Sequence, residues 1–150
     1  MGHSLSQNYV HLIFHIKTTS SIIRTEDKIR LYNYLAELLL QRSCAPIMIG
    51  GVENHVHILF SLSKNHALSD VVEYTKKNSS LWLRQQNDFY YNFAWQRGYA
   101  CFSVSASALN DVKEYIGNQE EHHKTIVYQD EVKQLLKAYN LPYNDFSFAD

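Results

Sequence analysis

The chain has 150 residues, 45% of them hydrophobic and 19% charged, which suits one globular domain with its own core and excludes an intrinsically disordered chain. A formal net charge of -1 lacks the basic signature of a strong phosphate binder, although eight histidines can add donors or positive charge outside that count. Cys44 and Cys101 form neither a disulfide framework nor a zinc-binding pair, and no apolar run reaches membrane-spanning length, so a reducing, cytoplasmic setting is expected.

Asn8 to Lys17 alternates as a strand, with Val10, Leu12, Phe14 and Ile16 on one face and His11 and His15 on the other. Thr25, Glu26 and Asp27 predict the N-cap and first turn of a helix whose inner stripe is Ile29, Tyr32, Leu35, Ala36 and Leu39, stopped before Pro46. Ile47 to Glu53 reads as a second strand, with Gly50-Gly51 as its expected bulge or bend. A third strand follows, in which His55 and His57 share one face while Val56, Ile58 and Phe60 point into a core. Two imidazoles on one rigid face suit a divalent metal; a half-buried strand with solvated histidines has the same pattern.

Ser69 and Asp70 open a second helix running to about Gln86, with Val71, Val72, Thr75 and Trp82 inward and Lys76, Lys77 and Arg84 as its positive charges. Phe93 to Ser105 is a strand region turned at Gly98. A third helix is expected from about Ala108 to His123, with Leu109, Val112 and Ile116 at core spacing and Tyr115 and Gln119 neighbours one turn apart; Tyr74 and Asn78 form a rival pair. Gly117 inside it marks a close approach or a flexible point. Val132, Leu135, Leu136 and Tyr139 mark a last short helix ended by Pro142.

This order predicts an α+β fold with a ferredoxin-like βαββαβ core, an antiparallel sheet with both crossover helices on one face, followed by the tyrosine-bearing helix and a further short helix. A single domain spans 1–150, with a core of about 8–123 and a helical tail of 124–150. The first and third strands are then neighbours, which brings His11 and His15 beside His55 and His57 on the face the crossover helices leave open. A helix on that face would aim the Tyr115 phenol and the Gln119 amide oxygen at the histidines, the oxygen serving as a third ligand to Mg²⁺ or Mn²⁺.

His55-Val56-His57 resembles the His-hydrophobe-His motif of the HUH endonucleases, and Tyr115-Ile116-Gly117-Asn118-Gln119 followed by His122-His123 resembles the tyrosine helix of their single-tyrosine transposases. These include insertion-sequence transposases and relatives associated with repetitive extragenic palindromes. Trp95-Gln96-Arg97-Gly98-Tyr99 and Ser103-Val104-Ser105 are similar to the segment preceding that helix. The resemblance implies cleavage and rejoining of single-stranded DNA through a 5′-phosphotyrosine link, with Tyr115 as nucleophile and His55, His57 and Gln119 holding Mg²⁺ or Mn²⁺. It also implies recognition of hairpin DNA ends by a homodimer. Arg24, Lys28, Lys76, Lys77, Arg84 and Arg97 are the candidate DNA contacts, and His11, His15, His122 and His123 are left without a catalytic part. Two other functions use the same residues differently. One is a hairpin-DNA binder that has lost turnover; the other is a metal-dependent phosphoesterase that activates water and leaves Tyr115 dispensable.

Overall fold

The structure, a computed structural model, describes residues 2–141; Pro142 and the rest of the expected tail lie outside them. Four strands, β1 (Tyr9–His15), β2 (Ala45–Val52), β3 (His55–Ser61) and β4 (Ala100–Val104), form one sheet in the order β2-β3-β1-β4. All neighbouring strands run antiparallel. With helices α1 (Lys28–Gln41) and α2 (Leu68–Gln86) as the crossovers, this is the expected βαββαβ arrangement.

Strand alternation divides the interior between the two faces of the sheet. On one face Val10, Leu12, Phe14 and Ile16 of β1 and Val56, Ile58 and Phe60 of β3 pack with Leu31, Leu35 and Leu39 of α1 and Val71, Val72 and Leu83 of α2. The other face is covered by α3 (Leu109–Gly117), through Ile116 against Leu59 and Val104, and by α5 (Tyr128–Ala138), whose Tyr128, Val132 and Leu136 pack with Ile13, Ala100 and Phe102. The histidine face is therefore roofed. His55 and His57 are fully buried, which removes the reading in which they are merely solvated.

Several local expectations shift. Thr25–Asp27 form a 3₁₀ turn with no side-chain cap, and α1 begins at Lys28. The Asp27 carboxylate is taken instead by Arg24, Arg30 and the Tyr90 hydroxyl. The buried stripe of α1 is rotated to Leu31, Leu35, Leu38 and Leu39, leaving Ile29 69% exposed. On α2, Ser79 and Leu83 are buried while Trp82 lies at the rim and stacks on Tyr34. The irregularity in β2 lies between Pro46 and Met48, so Gly50-Gly51 is not the bulge. Gly50 serves close packing: a Cβ there would stand 2.5 Å from the Ile116 carbonyl oxygen, so only glycine admits α3 at that distance. The strand after Trp95 is shorter than expected, because Gly98, at φ +81°, turns the chain before Ala100.

Candidate active site

The third helix is not continuous. α3 ends at Gly117 and a single turn, α4 (Gln119–His122), follows after Asn118, whose N–H is shared between the Glu114 and Tyr115 carbonyls. Leu109, Val112 and Ile116 hold α3 on the sheet as their spacing predicts, and this leaves Tyr115 half-buried at the edge of the histidine face. Its ring centroid lies 5.7 Å from that of His57 and 6.1 Å from that of His11. Gln119 is buried, with its amide oxygen 3.1 Å from His55 Nε2. In β1 the register sets His15 opposite His55, while His11 Nε2 reaches His57 Nδ1 at 2.8 Å. Tyr115, Gln119, His55 and His57, the four expected to meet, lie in one cluster.

A fifth lies at its centre. Glu131, buried on α5, places Oε1 3.2 Å from His55 Nε2, 3.1 Å from His57 Nε2 and 3.0 Å from His123 Nε2. Its other oxygen accepts hydrogen bonds from the Tyr115 hydroxyl and from the Gln119 amide, the latter at 2.9 Å. Sequence reasoning passed over Glu131 and left His123 without a catalytic part. The one available signal was an acid between Tyr128 and Leu135 at helical spacing, on the side of α5 that carries its apolar residues.

The outer nitrogens of two rings fix what the inner ones present. His55 Nδ1–H donates to the Asn54 side-chain oxygen at 2.7 Å, and His123 Nδ1–H donates to the Ile126 carbonyl, also at 2.7 Å. Neutral rings so held turn bare Nε2 lone pairs toward a carboxylate oxygen, an array of acceptors that repel one another unless a cation stands among them. Ligands adjacent around an ion with bonds of about 2.1 Å stand roughly 3 Å apart, which is the spacing of Glu131 Oε1 from the three imidazole nitrogens. One donor atom from each of His55, His57, His123 and Glu131 lies within 4.8 Å of every other. The cluster fits a divalent metal.

Electrostatics agree with that donor set. Burial lowers His55 to about 4 and His11 to about 3, and it also lowers His57, so these rings are neutral at neutral pH. Burial acts to raise Glu131, but the His55 and His57 imidazoles beside it and the Tyr115 hydroxyl outweigh that and keep the carboxylate ionised well below the usual range. Tyr115 is pushed above the ordinary phenol value, first by burial and then by its bond to the Glu131 carboxylate. Phenolate formation here requires added positive charge.

The six basic candidates do not form one surface. Arg24 is held by Asp27 and lies over the Phe89 ring, Lys28 is buried against Glu120, and Arg84 donates to the Phe93 carbonyl. Lys76 donates to the carbonyls of Gln96 and Gly98, and burial lowers it to about 8. Lys77 and Arg97 are exposed, and with Lys76 they line a groove of about 540 Å³ between α2 and residues 94–99. Trp95 and Val72, which also line this groove, belong to the core on the face opposite the histidines.

The family model for IS200-like transposases matches residues 4–119. Two solved structures share the fold. One is a Deinococcus radiodurans R1 protein provisionally described as a transposase, 20% identical, with a TM-score of 0.60 over 79% of this chain and 96% of its own. The other is a REP-associated tyrosine transposase bound to a REP hairpin, 12% identical, with a TM-score of 0.61 over 84% of this chain and 74% of its own. No curated protein matches.

Proposed function

The chain belongs to the IS200-like transposase family, and from that premise we propose that it cleaves and rejoins single-stranded DNA through a 5′-phosphotyrosine link on Tyr115, recognising hairpin DNA ends as a homodimer. The observation that carries this reading is the meeting of the Tyr115 hydroxyl, the Gln119 amide and the His55 and His57 rings around one charged centre. The structural neighbour with a bound REP hairpin supports hairpin DNA as the ligand.

His55, His57 and Gln119 would hold Mg²⁺ or Mn²⁺, with the His-rich, carboxylate-bearing cluster giving the charge balance such an ion needs. When bound, the ion polarises the scissile phosphate and offsets developing negative charge. Tyr115 supplies the nucleophile: its oxygen bonds to phosphorus, the bond from phosphorus to the 3′ oxygen breaks, and that oxygen leaves with a proton as a 3′-hydroxyl. The phenol proton leaves along its hydrogen bond to Glu131 Oε2. An aryl oxide is also a competent leaving group, so attack by a 3′-hydroxyl reverses the step and rejoins strands without external energy. The ordinary phenol value near 10, raised further here, makes the reaction depend on the ion.

The test is incubation with single-stranded hairpin DNA and Mn²⁺ followed by denaturing electrophoresis. A covalent protein–DNA adduct that is lost in Tyr115→Phe supports the reading. Cleavage without adduct in both proteins favours the phosphoesterase, and hairpin binding without cleavage favours the inactive binder.

A further inference from the structure

We propose that Glu131 is itself a metal ligand, joined by His123, and that the same carboxylate fixes the nucleophile, so that one side chain sets both the ion and Tyr115. The inference rests on the reading above, which needs only His55, His57 and Gln119 around the ion. It adds two ligands from outside the span matched by the family, which ends at residue 119.

The geometry separates the two kinds of neighbour. Glu131 Oε1 stands 3.0 to 3.2 Å from three imidazole nitrogens at once, those of His55, His57 and His123. Gln119 reaches only one of them, His55, and uses its amide N–H to hold Glu131 Oε2. In this chain Gln119 therefore also positions the carboxylate, and the ion's anionic partner comes from α5. The outer bond of His123 to the Ile126 carbonyl orients that ring toward the same point, as a ligand's outer nitrogen commonly does.

Two oxygens of one carboxylate then divide the work. Oε1 faces the ion and Oε2 accepts the Tyr115 hydroxyl, which places the phenol beside the metal without a separate support. A centre that includes three imidazoles and a carboxylate favours a first-row transition ion such as Mn²⁺ over Mg²⁺, which prefers oxygen ligands and keeps its water. Adding a full negative charge to neutral ligands also raises affinity for any divalent ion.

The experiment is a titration of the full-length, DNA-free protein with Mn²⁺, read as loss of the free-ion paramagnetic resonance signal, for wild type, Glu131→Gln, Glu131→Asp, His123→Ala, Gln119→Ala and His55→Ala. Circular dichroism establishes which variants fold. Expected are a loss of affinity of about tenfold or more for Glu131→Gln, a smaller loss for Gln119→Ala, partial recovery in Glu131→Asp and tighter binding of Mn²⁺ than of Mg²⁺ by wild type. Wild-type affinity in Glu131→Gln overturns the proposal, and so does tighter binding, which would mean that the carboxylate competes with the ion. If the glutamine variant does not fold, wild-type affinity in both Glu131→Asp and His123→Ala overturns it. Binding lost in His55→Ala but kept in the Glu131 variants defeats this inference alone. An absence of binding in wild type defeats the metal-dependent reading beneath it.

Discussion

His11 Nε2 and His57 Nδ1 share a hydrogen bond of 2.8 Å across the centre of the sheet, both rings buried. With the His57 Nδ1–H as donor, His11 does for His57 what the Asn54 side chain does for His55: it leaves the opposite nitrogen bare and aimed at Glu131. His11 is thus a positioning residue. His11→Ala is expected to weaken Mn²⁺ binding about tenfold or more while Tyr115 stays in place, and His11→Gln, which retains a polar partner, to restore part of it. Isothermal calorimetry checks both.

The same burial makes the metal-free protein acid-sensitive. His11 and His55 are lowered from 6.5 to about 3 and about 4, so below about pH 6.5 the unfolded chain binds protons that the folded chain does not. Their stabilising contribution is complete above that pH and is lost as pH falls toward 4 and then 3. Glu131, held below its ordinary value, changes stability with the same sign, since its contribution is present above about pH 4.5 and is lost on acidification. Urea unfolding of metal-free protein should show a loss on the order of a few kcal/mol between pH 7 and pH 4, with little change between pH 7 and pH 8. His11→Leu should flatten part of that slope.

Gly50 is where the tyrosine helix meets the sheet. A methyl group there would stand 2.5 Å from the Ile116 carbonyl and 3.0 Å from the Ile116 side chain, and backbone cannot yield as a flexible side chain does. Gly50→Ala is expected to displace α3, cost about 1–3 kcal/mol, and reduce adduct formation more than it reduces metal binding. Thermal melts and adduct yield measured side by side check this, because Tyr115 rides on α3 whereas His55 and His57 ride on β3.

Lys77 and Arg97 are the exposed positive charges of the groove between α2 and residues 94–99. If they bind phosphate, Lys77→Ala with Arg97→Ala should weaken single-stranded DNA binding and reduce the slope of log K against log salt by about 1.4, roughly 0.7 for each phosphate no longer neutralised. Lys28→Ala should instead act on stability, because its charge is engaged with Glu120 between α1 and α4. Fluorescence anisotropy at several salt concentrations distinguishes the two effects.

What could be read from the chain and what could not divide along physical lines. The strand period places His55 and His57 together, and the helical period places Tyr115 and Gln119 together; local repeats of two and 3.6 residues are enough for both. The pairing of β1 with β3 follows from element order, which is why His11 and His15 could be placed beside them. Glu131 was illegible because its role depends on where α5 lands on the sheet, a matter of packing by Val132 and Leu136 rather than of any local pattern. The α1 stripe was misassigned for a related reason. Ile29, Tyr32 and Ala36 make a second apolar stripe beside the buried one, and only the sheet decides which faces inward. Gly50 was read as a bend because close approach by another element leaves the same mark in sequence as a turn does.

The most direct measurement is to locate the covalent bond by mass spectrometry. After reaction with hairpin DNA and Mn²⁺, nuclease trimming and tryptic digestion, the peptide from Glu114 to Lys124, which holds Tyr115 as its one tyrosine, should carry a nucleotide joined through its 5′ phosphate. That product should vanish with His57→Ala. A nucleotide on any other residue, or undiminished adduct in Tyr115→Phe, would contradict the assignment of Tyr115 as the nucleophile beside the metal.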